Sequence, residues 1–297
     1  MVPAKPPRAL FHLDKWCVDT LLPDGTVLLV YLGRLLLAGK ALVRVTAELF
    51  NTDGSRIAGS AEGGAFKPAD GRLLCGQADI EGERLRFRTP GLSGELRFVA
   101  RRPAFAPGPL LTRGARALSW TVEVPDADVT GELHWPGGGR ALHGRGYRDR
   151  VTFDILPWRL PLRTLRWGRA VAGEHSVSFL HADVGAHAPP LVAGVCDGEA
   201  LSGMPQALVL GASRELLAGP IIDLQGLHLG ALRPLLRLAT RNPDQHKWAA
   251  AATLHGEAGR AIHELVRFGD AVHDAMPGAA IGELLETASH ESRIRGR

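Results

Sequence analysis

Cysteine is scarce in this chain, with three in 297 residues, at positions 17, 75 and 196. Odd in number, widely separated and outside any Cys-x-x-Cys spacing, they indicate neither a disulfide framework nor a zinc site. They read as small apolar core residues. Runs of like charge are also absent. The 35 Lys and Arg nearly balance the 31 Asp and Glu, and no cluster of five or six basic residues points to nucleic acid. No hydrophobic run approaches a membrane span, since the longest, Val27 to Leu37, is broken by Gly33 and Arg34. The first eight residues have no apolar centre and contain Pro6-Pro7, so no secretory leader is expected. These absences point to a cytoplasmic protein without stable membrane insertion, touching membrane surfaces at most transiently.

What is present is glycine and proline, 36 and 20 residues, beside 45% hydrophobic content. That combination predicts a globular chain of many short elements joined by turns. Strand patterns dominate: Val27 to Tyr31, Leu42 to Phe50, Arg72 to Ile80, Arg84 to Arg88, Gly94 to Ala100, Ala117 to Val124 and Val129 to Trp135. A second series covers Val171 to His181, Leu191 to Cys196, Leu208 to Gly211, Ile221 to Leu229 and Trp248 to His255. Between the two series, Pro157 and Pro161 prevent continuous pairing of Val151 to Leu165, which reads as a crossing or covering loop. Leu232 to Ala239 and Ala261 to Met276 are ambiguous, since apolar residues of the second recur at helical spacing while Gly269 interrupts, and one short helix is expected there. The charged tail Ser289 to Arg297 reads as disordered.

The segment Gly144 to Arg150 concentrates chemistry. On a strand, alternation puts Tyr147 and Asp149 on one face and Arg148 and Arg150 on the other. A carboxyl group beside a phenol in an apolar setting is suited to moving one proton. A surface ion cluster is the plainer alternative.

Three blocks carry a family likeness. They are Lys15-Trp16-Cys17-Val18-Asp19 with Pro23-Asp24-Gly25; Ser119-Trp120 through Pro125 and Gly131; and Gly146-Tyr147-Arg148-Asp149-Arg150 with Trp167-Gly168-Arg169. In order and spacing, over about residues 10 to 185, the chain resembles the hydroxyneurosporene synthase (carotenoid 1,2-hydratase) family. Its lipocalin-like superfamily also includes natural-product Diels-Alderases. The resemblance implies a mainly β protein of two tandem lipocalin-like antiparallel barrel or sandwich domains with few short helices, divided here as 1–160 and 161–297. It also implies protonation of an alkene, with no organic cofactor, by the aspartate matching Asp149. Tyr147 and Trp120 complete the catalytic set. Two family histidines are replaced by Arg148 and Arg150, the following asparagine by Val151, and a further histidine by Leu118.

The expectation is a cofactor-independent enzyme acting on an apolar polyene, terpenoid or polyketide-like molecule by hydration, isomerisation or cyclisation. Trp16, Trp158, Trp167, Arg169 and Arg148 are the candidate substrate-binding residues. A pericyclase that folds its substrate and a carrier that binds lipid or pigment without chemistry are the alternatives. In the carrier reading, Asp149 belongs to a structural ion pair with Arg148, Arg150 or Arg169. Metal is not expected: His181, Asp183 and His187, or His263, Asp270 and His273, would have to converge. Gly137-Gly138-Gly139 lacks the Lys-Ser/Thr of a phosphate loop and reads as a hairpin turn. Nor does any Gly-x-Ser-x-Gly support serine hydrolase chemistry.

Overall fold

The computed structural model describes residues 11–37, 39–69, 71–156, 159–185, 189–220 and 243–268. The first sheet contains β1 (Phe11–Leu21), β2 (Val27–Leu37), β3 (Lys40–Phe50), β4 (Arg56–Glu62), β5 (Phe66–Ala69), β6 (Arg72–Cys75), β7 (Ala78–Glu81), β8 (Arg84–Arg88), β9 (Ser93–Ala100), β10 (Pro109–Arg113), β11 (Arg116–Trp135) and β12 (Gly138–Phe153). The second contains β13 (Thr164–Ala172), β14 (His175–Asp183), β15 (Leu191–Cys196), β16 (Glu199–Ala200), β17 (Leu208–Pro220), β18 (Asp244–Leu254) and β19 (Glu257–Arg267). Every pairing is antiparallel. Among the described residues no helix is long and apolar enough to cross a membrane.

Both sheets share one wiring plan. In each, the first strand pairs with the last, β1 with β12 and β13 with β19, and meanders extend to either side. The first sheet curls on itself, because Cys75 on β6 comes within 3.7 Å of the Gly33 carbonyl on β2. It encloses a core of Trp16, Val18, Val30, Leu49, Leu85, Phe98 and their neighbours. A second core, including Leu29, Trp120, Val122, Tyr147, Trp167, Leu180 and Ile262, lies between the two sheets. Strand alternation distributes residues between these cores.

Residues 154–156 and 159–163, between the two sheets, carry no strand pairing, and Pro157 lies outside the described residues. Three sequence expectations need correction. Arg72 to Ile80 is a hairpin rather than one strand, turning at Gly76-Gln77, and Val171 to His181 turns at Gly173-Glu174. The expected helix over Ala261 to Met276 is strand β19 as far as Arg267, paired on both sides. Two ordered ladders outweigh the helical spacing of Ile262, Leu265 and Val266. The glycine triplet does form a hairpin, with Trp135 opposite Gly138. Ile221 to Leu229, Leu232 to Ala239 and the tail lie outside the described residues.

Two glycines of the motif blocks have steric explanations. A Cβ on Gly146 would stand 2.2 Å from Val129 Cγ2 and 2.7 Å from the Phe98 ring, and one on Gly168 2.6 Å from the Phe179 ring. These rings occupy the space of the missing side chains. Gly168→Ala is therefore expected to cost about 1–3 kcal/mol, as overpacking does, read as a lower urea midpoint with unchanged slope.

Candidate active site between the sheets

Strand pairing builds the site across four strands. Asp149 on β12 lies opposite Cys17 on β1 and Val122 on β11, and Cys17 lies opposite Tyr31 on β2. Tyr147 precedes Asp149 by two residues and shares its face. Trp120 Nε1 donates to Asp149 Oδ2 at 2.8 Å, and the Tyr147 hydroxyl donates to the same oxygen at 2.9 Å. Trp120, Tyr147 and Asp149 are all buried. Asp149 Oδ1 is buried too and has no hydrogen-bond partner.

Burial pushes the Asp149 carboxyl group up to about 6, against the hydrogen bonds from Trp120 and Tyr147 and the ammonium groups of Lys247 and Lys15. Burial, reinforced by the Asp149 charge, raises Tyr147 well above the ordinary phenol value. Tyr147 is thus a fixed donor and Asp149 a group that titrates near neutrality. Because both donors occupy Oδ2, a proton taken up by the carboxyl group is left to Oδ1.

The arginines do not pair with Asp149. Arg148 stands 2.8 Å from Glu123, and Arg150 donates to Asp14 at 2.8 Å while covering the Trp16 ring at 4.4 Å. Both project from the opposite face of β12. Arg169 is buried and pairs with Asp19, with its guanidinium 5.7 Å from the Tyr147 ring centroid. The structural ion pair considered for Asp149 is absent, and its partners are neutral donors.

Of the candidate binding residues, Trp167 packs edge-on against Tyr147 at 5.5 Å and Arg169 lies next to it, so both belong to the site. Trp16 and Arg148 do not. Trp16 sits in the core of the first sheet and donates to Glu123 at 2.9 Å, which Arg148 also contacts, on the far side of the sheet from Asp149. Trp158 lies outside the described residues.

Sequence reasoning missed a buried cation. Lys247 on β18 is buried and reaches the Tyr31 hydroxyl at 2.8 Å and Glu264 at 2.7 Å. Burial opposes its charge, but Glu264 and its other neighbours raise its pKa well above the ordinary lysine value. Nothing in the local sequence distinguishes Lys247 from a solvated lysine. Its face is set by pairing with Glu264 across the ladder. Beside it a cavity of about 90 Å³ is lined by Lys15, Tyr31, Leu32, Leu35, Leu217 and Gln245 among others. It lies two strands from Asp149, with Cys17 between Tyr31 and the carboxyl group.

The two histidine sets weighed for metal do not gather among the described residues. His181 and Asp183 lie on β14 and His263 stacks on Trp248 at 4.9 Å, while His187, Asp270 and His273 lie outside the described residues. A different trio, His175, Asp197 and His255, does converge.

No protein-family model and no curated protein matches this sequence. Solved structures do. CghA, seen with Sch210972, superposes with a TM-score of 0.60 at 13% identity over 87% of this chain and 89% of its own. A Nitrosomonas europaea protein assigned to AttH gives 0.57 at 13% identity, over 90% of this chain and 100% of its own. Kievitone hydratase from Nectria haematococca gives 0.51 at 11% identity, over 89% and 91%. Across nearly its whole length, this chain has the fold that these three proteins share.

Proposed function

We propose that this protein is a cofactor-independent enzyme that protonates an apolar small molecule from Asp149, with hydration or isomerisation of an alkene as the outcome. The observation that carries the reading is the asymmetry of one buried carboxyl group. Oδ2 accepts from Trp120 and Tyr147, Oδ1 has no partner, and the group titrates near 6. The proton on Oδ1 passes to an alkene carbon, and the two donors on Oδ2 stabilise the carboxylate left behind. Water then captures the cation and releases a proton, which restores Asp149. If the cation instead loses a proton from a neighbouring carbon, the result is an isomer. We place this site at the junction of two tandem domains, 1–160 and 161–297.

The fold supports the reading, since one protein that shares it is a hydratase, kievitone hydratase, and another, CghA, is seen with a bound compound. The cavity beside Tyr31 is small next to the ~300–1,000 Å³ of ordinary ligand pockets. Its lining of Tyr31, Leu32, Leu35 and Leu217 suits the end of an apolar molecule, at two strands' distance from Asp149.

The pH dependence tests the role directly. Because the acid form is the reactive one and the group titrates at about 6, turnover is expected to be level below pH 6. Above it, turnover should fall about tenfold per pH unit. Turnover that rises through the same interval would assign Asp149 as a base instead. The starting assay is incubation with polyene and polyketide extracts, scoring altered molecules against bound ones. Retention of unaltered ligand alone would favour the carrier.

A further inference from the structure

Three hairpin turns of the second sheet meet at one end. The β13–β14 turn leads into His175, the β15–β16 turn holds Asp197, and the β18–β19 turn holds His255. One ring nitrogen from each histidine and one oxygen of Asp197 lie within 4.8 Å of one another. His175 Nδ1 is 2.7 Å from Asp197 Oδ2, and the two imidazole centroids are 4.7 Å apart. Cys196 Sγ stands 3.6 Å from His255 Nε2. Three turns thus bring two imidazoles and a carboxylate together, with the Cys196 thiol beside His255.

The backbone supplies a second observation. Among the described residues, Asp197 and His255 alone are non-glycine residues with positive φ, at 51° and 52°. Each is followed by a glycine, at φ 94° and 84°, as a two-residue hairpin turn requires, and aspartate and histidine enter this region more readily than most side chains. The turn geometry fixes where these two donors sit.

We propose that His175, Asp197 and His255 form a binding site for a transition-metal dication of the zinc class. Two nitrogens and one carboxylate oxygen suit a borderline ion that keeps a fourth position for water, whereas magnesium and calcium prefer oxygen donors throughout. The surroundings orient the carboxylate for this role. Ser176 N donates to Asp197 Oδ1 at 2.8 Å, and Arg102 Nη2 lies 3.5 Å from that same oxygen while donating to the Glu174 carbonyl. Arg102 opposes a second cation, yet it engages Oδ1 and leaves Oδ2 to the ion. Binding at Nδ1 of His175 replaces its hydrogen bond to Asp197 and leaves the ring proton on Nε2.

The ion would clamp the three turns together. Arg101 already pairs with Glu174, and Arg102 with Asp197, so the clamp also engages the chain that follows β9 in the first sheet. The site is separate from Asp149. It lies five residues along β13 from Trp167, roughly 17 Å at about 3.4 Å per residue.

The test uses the full chain, stripped with EDTA and equilibrated with zinc chloride at neutral pH. One zinc retained per chain and a raised melting temperature are expected. Asp197→Asn and His255→Asn both suit a left-handed backbone, and each is expected to abolish both retention and the zinc-dependent rise in melting temperature. His246→Gln alters the other histidine and carboxylate grouping, with Glu215 and Asp244, and is expected to leave retention unchanged. The proposal fails if the unmutated chain retains no zinc. It fails equally if both asparagine variants retain it, or if His246→Gln removes it.

Discussion

Asp149→Asn is expected to lower turnover by about 100-fold or more, the usual contribution of a positioned acid. Apolar ligand affinity should change little. Asparagine keeps the shape and still accepts from Trp120 and Tyr147, but it has no proton to give. The same variant has a signature in stability. An Asp149 pKa of about 6 in place of 3.8 means the folded state holds this proton more tightly than the unfolded chain. Stability from this group is therefore intact below about pH 4, declines as pH rises toward 6, and is fully lost above it. At 1.36 kcal/mol per unit, the loss is about 3 kcal/mol. Comparing urea midpoints for the two proteins from pH 4 to 7.5 cancels every other carboxylate. The variant should gain on the parent by about that amount. Full turnover in the variant would end the catalytic assignment. A stability gap independent of pH would mean that Asp149 is not held neutral by burial. Tyr147→Phe should lower turnover in the same direction but by less, because Trp120 still holds Oδ2.

The largest purely structural effect is expected at Asp19. This buried carboxylate pairs with the buried Arg169 and joins β1 of one sheet to β13 of the other. Arg169 has few other anchors: Nη2 donates to the Arg145 carbonyl at 3.1 Å, and Nε and Nη1 have no hydrogen-bond partners. Asp19→Asn leaves a guanidinium uncompensated in the interior, at a cost of about 3–5 kcal/mol. Asp19→Leu combined with Arg169→Met removes both charges and is expected to recover most of that loss. A fall of under about 1 kcal/mol in the single variant would show that solvent reaches the pair.

Much of this was legible in the sequence, for identifiable reasons. Strand type follows from turn residues and alternation, and the i, i+2 spacing of Tyr147 and Asp149 put them on one face before any fold was known. The same alternation separated Arg148 and Arg150 from Asp149. Applied across the ladder it also explains why Trp16 falls away from the site, since Trp16 lies opposite Arg150. Register of that kind is a long-range property. Lys247 and the His175, Asp197 and His255 trio were missed because their partners lie on other strands and turns, 22 residues apart for His175 and Asp197 and 216 for Lys247 and Tyr31. The helix expected over Ala261 to Met276 failed because 3.6-residue spacing over a short window cannot outweigh pairing partners the window does not contain.

The β1–β12 pairing sets an order of events in folding. Cys17 meets Asp149 only after residues 18 to 148 have been synthesised, and until then one long edge of β1 has no partner. Such distant pairing is slow to form, and an open strand edge invites association with other chains. Trp120 and Tyr147 reside on the hairpin that supplies this closing strand. Asp149 and both donors to its carboxyl group lie on that one hairpin, so a chain stalled before the hairpin joins β1 carries an adhesive edge beside an already assembled carboxyl cluster.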